Sequence, residues 1–152
     1  MKALLTAIKS QLRTDLDYVR NSDVFVTEDD NLIPSAVKFP AVGLKDGPVQ
    51  RAALIGGMMA YRMDVRIIAL IQLTKPEAAV MGDTSTGKPG ILDMEEDIHS
   101  SLDENLLSIT GMVEAVAAAN QPESEVFGDE TEVIQRKIIT YQYVKETERP
   151  SA

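Results

Sequence analysis

The sequence predicts an α+β fold in which a mostly antiparallel sheet, with a long projecting β-hairpin, packs against two helices. Three observations predict it. Residues 2–19 and 91–107 carry apolar side chains at the three- and four-residue spacing of an amphipathic helix. Residues 59–73 alternate apolar and polar side chains over a length well beyond that of an ordinary strand. Residues 133–144 alternate in the same way and supply a further strand.

The N-terminal part of the chain begins with the first helix. Its predicted apolar stripe consists of Leu4, Leu5, Ile8, Leu12 and Leu16. Residues 24–27 form a short β-like run, and residues 39–44 look like a strand that is entered through a proline. Because Asp-Gly pairs favour tight turns, we expect Asp46-Gly47 to lead into a hairpin partner at residues 49–55.

The run at 59–73 is the strongest β signal in the chain and follows Gly56-Gly57. Strands usually contain about 3–10 residues, so this one is expected to bend or to project beyond its sheet and to need a partner that covers it. The side chains expected on its apolar face are Tyr61, Met63, Val65, Ile67, Ala69, Ile71 and Leu73.

The C-terminal half begins with a long loop predicted at residues 74–90, rich in Pro, Gly, Thr and Ser. The second helix follows, with the stripe Ile91, Met94, Ile98, Leu102 and Leu106. Residues 112–118 are either a strand or an extension of a helix, and residues 120–132 are predicted to be loop. The sequence thus predicts one domain over residues 1–146 and a disordered tail over 147–152.

Composition excludes several classes of function. The 152 residues include no Cys and one His, so thiolate chemistry, Cys-ligated metal and a disulfide framework are absent. The longest apolar stretch, residues 65–73, is interrupted by Arg66 and Gln72, so no membrane span is predicted. The N-terminal residues lack the apolar segment of a signal peptide.

The net charge of −9 is unevenly distributed. Residues 1–76 hold 10 basic and 8 acidic side chains, a net of +2, whereas residues 77–152 hold 5 and 16, a net of −11. Tight nucleic-acid binding depends on Lys and Arg at the phosphates, so the balance disfavours it. An acidic surface is nevertheless suited to nucleic acid that must pass without adhering.

Residues 82–88 match the first seven positions of a phosphate-binding P-loop. The functional motif needs a buried strand before it and a Ser or Thr after the lysine, where this chain has Pro89. A flexible loop is therefore the favoured interpretation. His99 lies near serines on one helix, without an oxyanion loop or nucleophile elbow. We expect no catalytic residue and no cofactor.

An acidic cluster opens the second helix. It consists of Asp93, Glu95, Glu96 and Asp97. Because carboxylates are favourable at a helix N-terminus, helix electrostatics explain the cluster better than a metal or acid–base site does, and no metal is expected.

The candidate contact residues lie in two segments. Met58 and Met59 stand beside Gly56-Gly57, where flexible thioethers suit a neighbouring subunit, and Tyr61 follows them. Thr84 and Lys88 lie in the long loop, and loops of this length are often ordered by a partner.

The order of these elements resembles that of the tail terminator, or tail-completion, proteins of long-tailed bacteriophages. The resemblance covers about residues 1–146 and consists of hydrophobic patterns at family-like positions. The segments that carry it are Phe39-Pro40-Ala41-Val42, Tyr61-Arg62-Met63-Asp64-Val65-Arg66-Ile67, Gly87-Lys88-Pro89-Gly90-Ile91-Leu92-Asp93 and residues 136–143.

The resemblance implies a structural virion protein of the neck. Such a protein forms a ring, typically a hexamer, at the head-proximal end of the tail tube, ends tube polymerisation and joins the tail to the head. The implied partners are further copies of the chain, the tail tube protein and a head completion or connector protein, with the tail sheath protein as a further candidate. The implied location is the virion tail, and the host cytoplasm during assembly. The acidic cluster would then face the lumen through which DNA passes.

Two other functions fit the same residues. One is a small, non-catalytic ligand-binding or regulatory α+β domain that dimerises. The other is a nucleotide-dependent enzyme that uses residues 82–88.

Replacement of Met59 by Asp tests the hairpin as a contact surface. We expect weaker oligomer formation, because a charge in an apolar contact must be desolvated, while the monomer stays folded. Size-exclusion chromatography measures the first effect and circular dichroism the second. Unchanged assembly would count against the hairpin.

Overall fold

The computed structural model describes residues 1–73, 75–128 and 133–148. A six-stranded sheet is the centre of the described structure. The helices are α1 (Lys2–Asp15), α2 (Pro76–Met81) and α3 (Ile91–Leu102), with a short 3-10 turn at Asn21–Asp23. The strands are β1 (Val24–Val26), β2 (Ala41–Ala53), β3 (Met58–Gln72), β4 (Met112–Ala117), β5 (Glu125–Gly128) and β6 (Val133–Glu148).

The strand order β1-β2-β3-β6-β4 confirms the predicted mostly antiparallel sheet. β5 also pairs with β6, at the end of β6 opposite to β4. Among these described pairs, β1 with β2 is parallel and the others are antiparallel. The fold class is therefore α+β, as the sequence predicts.

The alternation of apolar and polar side chains along β3 produces the main core. Met63, Val65, Ile67, Ala69 and Ile71 are buried on one face, as predicted. Ile139, Tyr141 and Tyr143 of β6 point to the same side and join the same apolar cluster.

The two long helices cover this face of the sheet. The apolar residues of both helices pack into the main core, which confirms the two predicted stripes in large part. The buried positions are Leu4, Ile8, Leu12 and Leu16 from α1 and the residue that follows it, and Ile91, Met94, Ile98 and Leu102 from α3.

Both helices end earlier than the periodicity predicts. α1 stops at Asp15, and Leu16 and Val19 reach the core from the turns that follow, so tertiary packing overrides helical propagation. α3 stops at Leu102, because Glu104 and Leu107 adopt positive φ angles that a helix does not allow. Leu106, which the sequence places in the stripe, is 39% exposed.

A smaller apolar cluster lies on the opposite face of the sheet. Its buried residues are Phe25, Ala41, Ile68, Leu70 and Ile134. The segment before β2 covers it with partly buried side chains from Ile33, Val37 and Phe39. The sheet is thus covered on both faces at the end where β3 finishes.

The predicted turn at Asp46-Gly47 is wrong, because β2 runs through it as a single strand. The register shift between Asp46 and Val49 is a β-bulge, and the hairpin turn lies between β2 and β3 instead. A side chain at Gly47 would stand 2.7 Å from the carbonyl oxygen of Asp64 on the facing strand. The turn itself uses Gly56 and Gly57, both at positive φ.

Two segments predicted to be loops contain regular structure. Residues 74–90 include α2, which begins with Pro76 at a position where a missing N–H costs nothing. Residues 120–132 include β5, whose backbone pairs with the start of β6. Residues 112–117 are a strand, which settles the ambiguity between helix and strand there.

The C-terminal strand is longer than predicted. β6 continues to Glu148, so residues 147 and 148 of the expected disordered tail belong to a strand. Their pairing with β3 supplies the ordering that composition does not reveal. Residues 149–152 of that tail lie outside the described residues. Within the described parts of the chain, no helix has both the length and the apolar character needed to cross a membrane.

Replacement of Gly47 by Ala tests the bulge. A Cβ atom there must displace the Asp64 backbone, so we expect a loss of about 1–3 kcal/mol in the free energy of unfolding. Urea denaturation measures it. Gln50→Ala, at an exposed position of the same strand, is the matched control and should change stability by about 0.5 kcal/mol or less. Equal effects of the two variants would contradict the steric argument.

Candidate functional site

The turn between β2 and β3 forms an apolar tip, defined here as residues 52–60. Ile55 is 99% exposed, and Met58 and Met59 are half-buried. β6 pairs with β3 as far as Met58 and Glu148, so the projection is three-stranded. The partner that β3 was expected to need is supplied within the chain at both of its edges, by β2 and β6, while the tip retains exposed apolar surface.

Tyr61, predicted as a contact residue, has a partner within the chain. It lies opposite Arg51 on β2, whose guanidinium carbon is 5.3 Å from the ring centroid. This cation–π contact and the half-buried position of the ring make Tyr61 part of the arm that supports the tip.

Thr84 and Lys88 are both exposed on a tight loop that follows α2. Two backbone hydrogen bonds between Asp83 and Lys88, of 3.0 and 3.2 Å, close the loop. The Asp83 carboxylate accepts hydrogen bonds from the backbone N–H and the hydroxyl of Ser85, which lower the pKa of Asp83. A helix rather than a buried strand precedes this loop, so the context that a P-loop requires is missing here.

The loop lies at the other end of β3 from the tip. Lys88 lines a cavity together with Ile71 and Gln72, the last residues of β3, whereas Met58 is its first. The first and last of the 15 residues of β3 are separated by 14 steps of about 3.3 Å each, or about 45 Å. The predicted contact residues therefore form two separate surfaces.

The cavity beside Lys88 was not anticipated from the sequence. It has a volume of about 340 Å³ and lies where the entry to β2, the end of β3 and α2 meet. Its apolar walls include Phe39, Pro40, Ile71, Ala78 and Pro89, and the exposed Lys75 and Lys88 also line it. Pro40 and Pro89 are visible in the sequence as isolated prolines, but only the fold brings them together in the lining of one cavity.

Three of the four carboxylates in the acidic cluster have partners within the chain. Asp93 Oδ2 accepts a hydrogen bond from the Gly90 N–H at 2.9 Å and so caps α3. Glu95 lies 3.2 Å from Lys137 Nζ, and Asp97 accepts a hydrogen bond from the Tyr18 hydroxyl at 2.8 Å. The fourth, Glu96, is exposed.

The acidic surface extends from α3 to the end of α1. Two shallow neighbouring cavities share Tyr18 and Asp97, and Asp15, Asp17 and Glu96 add further carboxylates to their lining. Burial and the hydrogen bond to Asp97 raise the pKa of Tyr18. The acidic surface thus combines carboxylates of the C-terminal half with Asp15 and Asp17 of the N-terminal half, a combination that the sequence did not indicate.

The one histidine takes part in a network that the sequence analysis missed. His99 Nδ1 lies 2.6 Å from the Tyr141 hydroxyl, which donates a hydrogen bond of 2.6 Å to Asp103. Because the hydroxyl has a single proton, His99 donates through Nδ1 in this arrangement. The i, i+4 spacing of His99 and Asp103 was visible in the sequence, but the buried Tyr141 that joins them was not.

The Tyr141 hydroxyl of this network links two elements of the fold. Burial, followed by the hydrogen bond to Asp103, raises the pKa of Tyr141, so the phenol stays protonated and is a poor base or nucleophile. The hydroxyl ties the end of α3 to the middle of β6.

The two buried tyrosines of β6 provide a matched test. Tyr141→Phe removes the hydroxyl that joins His99 and Asp103, so we expect a loss of about 1–3 kcal/mol in unfolding free energy. The Tyr143 hydroxyl is buried with no hydrogen-bond partner among the described residues. Its removal in Tyr143→Phe should be neutral or slightly stabilising.

Urea denaturation of the two variants measures both effects under the same conditions. Equal destabilisation by the two substitutions would show that ring packing, rather than the network, sets the stability at these positions.

Comparison with known proteins gives a similarity of fold. No protein-family model matches the chain, and no curated protein is similar enough in sequence to count as a relative. Among solved structures, the chain is similar to one in the virion of a native gene transfer agent particle. The TM-score is 0.59, the sequence identity is 17%, and the match covers 95% of each chain. This similarity shows that the two chains share a fold over nearly their whole length.

Proposed function

We propose that the chain is a structural virion protein of a phage-like particle. The observation that carries the proposal is the shared fold with a chain of a gene transfer agent virion, over 95% of both chains. Because that chain belongs to a virion particle, the same kind of role is proposed for this one. The proposed role is accordingly structural and not enzymatic.

Within the particle, we propose the position of a tail terminator. The chain forms a ring, a hexamer, at the head-proximal end of the tail tube, ends tube polymerisation and joins the tail to the head. The order of elements on which the resemblance rests supports this: α1, the long β3, the loop after α2, the acidic α3 and the closing β6. The two surfaces at opposite ends of β3 also suit a ring, since head-to-tail contacts use two different patches.

The proposed partners follow from that position. They are further copies of the chain, the tail tube protein and a head completion or connector protein, with the tail sheath protein as a further candidate. The proposed location is the virion, and the host cytoplasm during assembly.

DNA is proposed to pass the ring without binding. The net charge of −11 over residues 77–152 supports an acidic lumen that repels phosphates. Glu96 and Asp97 are the exposed members of the acidic cluster and the best candidates for its lining. Asp93 and Glu95 are also proposed to contribute charge there, in addition to their contacts within the chain.

Tube polymerisation in vitro tests the terminator role. The purified chain is added to tail tube protein, and tube length is measured by electron microscopy. We expect shorter tubes that carry a ring at one end, because a bound ring occupies the growing end. The gene neighbourhood identifies the tube protein to use.

The control is the same assay with a Met59→Asp chain, which should cap fewer tubes. A wild-type chain that remains a dimer at all concentrations and leaves tube length unchanged would favour the regulatory-domain alternative. Finding the carboxylates of the acidic cluster on the outer wall of a ring would overturn the lumen proposal alone.

A further inference from the structure

The apolar tip is exposed where a polar turn would serve the fold as well. Ile55 is 99% exposed, and open space surrounds Gly56 and Gly57 to at least 4 Å from where a side chain would begin. Nothing in the described chain packs over the end of the turn. An apolar surface at the end of a projecting arm indicates a contact made outside the chain.

The cavity at the opposite end of β3 has matching properties. Its volume of about 340 Å³ has room for the side chain of Ile55. Its apolar walls include Phe39, Pro40, Ile71 and Ala78. Gly56 and Gly57 give the tip a narrow profile, since neither carries a side chain.

The charges around the tip and the cavity are complementary. Glu146 and Glu148 lie on β6 beside the tip, paired with Ala60 and Met58, and both are exposed. Lys75 and Lys88 line the cavity and are also exposed. Within the described residues, none of these four side chains forms an ion pair. Asp83, the acidic residue in the cavity lining, already receives two hydrogen bonds from Ser85.

We propose that the tip of one copy of this chain inserts into the cavity of the next copy. Ile55 enters between Phe39 and Pro40, and Glu146 and Glu148 lie near Lys75 and Lys88. The tip and the cavity are about 45 Å apart along β3, so one chain cannot fill its own cavity. A second copy is the partner that supplies both complementary surfaces at once.

This inference rests on the proposed ring and adds the contact that builds it. Each subunit uses a tip on one side and a cavity on the other, which is a heterologous contact. The predicted contact residues Met58 and Met59 then belong to the inserting surface, and Lys88 belongs to the receiving one. Thr84 lies outside the cavity lining and outside this contact.

Two variants separate the inserting and receiving surfaces. Ile55→Asp places a charge on the tip, and Thr86→Trp adds a bulky ring at an exposed position of the cavity lining. Each variant alone should associate at least about tenfold more weakly than the wild-type chain, because one side of every contact is lost. Sedimentation velocity over a concentration series measures this, and circular dichroism verifies the fold.

An equimolar mixture of the two variants is the decisive sample. The intact cavity of the Ile55→Asp chain accepts the intact tip of the Thr86→Trp chain, so the mixture should form a one-to-one dimer and nothing larger. The matched controls are Val113→Asp, at an exposed apolar position on β4, and Ser10→Trp, at an exposed position on α1 outside the cavity lining. Both controls should assemble as the wild type does.

The outcomes distinguish this inference from the proposed function. A wild-type ring with undiminished assembly of Ile55→Asp or Thr86→Trp overturns the tip–cavity contact and leaves the ring standing. Two folded variants that fail alone and also fail to form the mixed dimer overturn it as well. A wild-type chain that forms no ring, alone or on the tube, overturns the ring and this contact together.

Discussion

The antiparallel pairing of β3 with β6 is the interaction on which the rest of the structure depends. It runs without a break in register from Met58 and Glu148 to Gln72 and Ile134. Because side chains alternate along both strands, this register decides which residues of β3 and β6 face the helices and which face the other side of the sheet. A slip of one residue would turn the side chains of the main core to the opposite face, so α1 and α3 could no longer pack on them.

The same strand pair separates the molecule into a core end and an arm. Towards Gln72, helices cover one face and the segment before β2 covers the other. Towards Met58, the strands continue beyond their covering elements, and the turn residues Ile55, Gly56 and Gly57 have few neighbours. The arm is nevertheless stiffer than a two-stranded hairpin, since β6 adds a third strand and Arg51 packs on Tyr61.

Local periodicity predicted the parts of the fold whose burial repeats along one element. The apolar faces of β3 and β6 and the stripes of α1 and α3 are of this kind. It failed where a distant contact decides the structure: β5 is a strand because β6 pairs with it, and at the bulge the backbone of Gly47 lies too close to Asp64 on the facing strand for a side chain. The candidate contact residues were chosen from local composition, whereas the cavity beside Lys88 forms only where four segments of the chain meet, so it has no local signature in the sequence.

A rigid strand pair also bears on how copies of this chain would assemble. A heterologous contact closes into a ring only if the rotation between neighbours divides a full turn into a whole number of steps without a rise along the axis, and otherwise it continues as a helical filament. Tip and cavity are both built on β3, so the rotation between them is set by the strand and not by a flexible linker. The twist of a sheet makes that rotation differ from zero over the length of β3. An arm that enters its neighbour at a constant angle meets one condition for a defined number of subunits, and a defined number is the property that a cap on a tube must have.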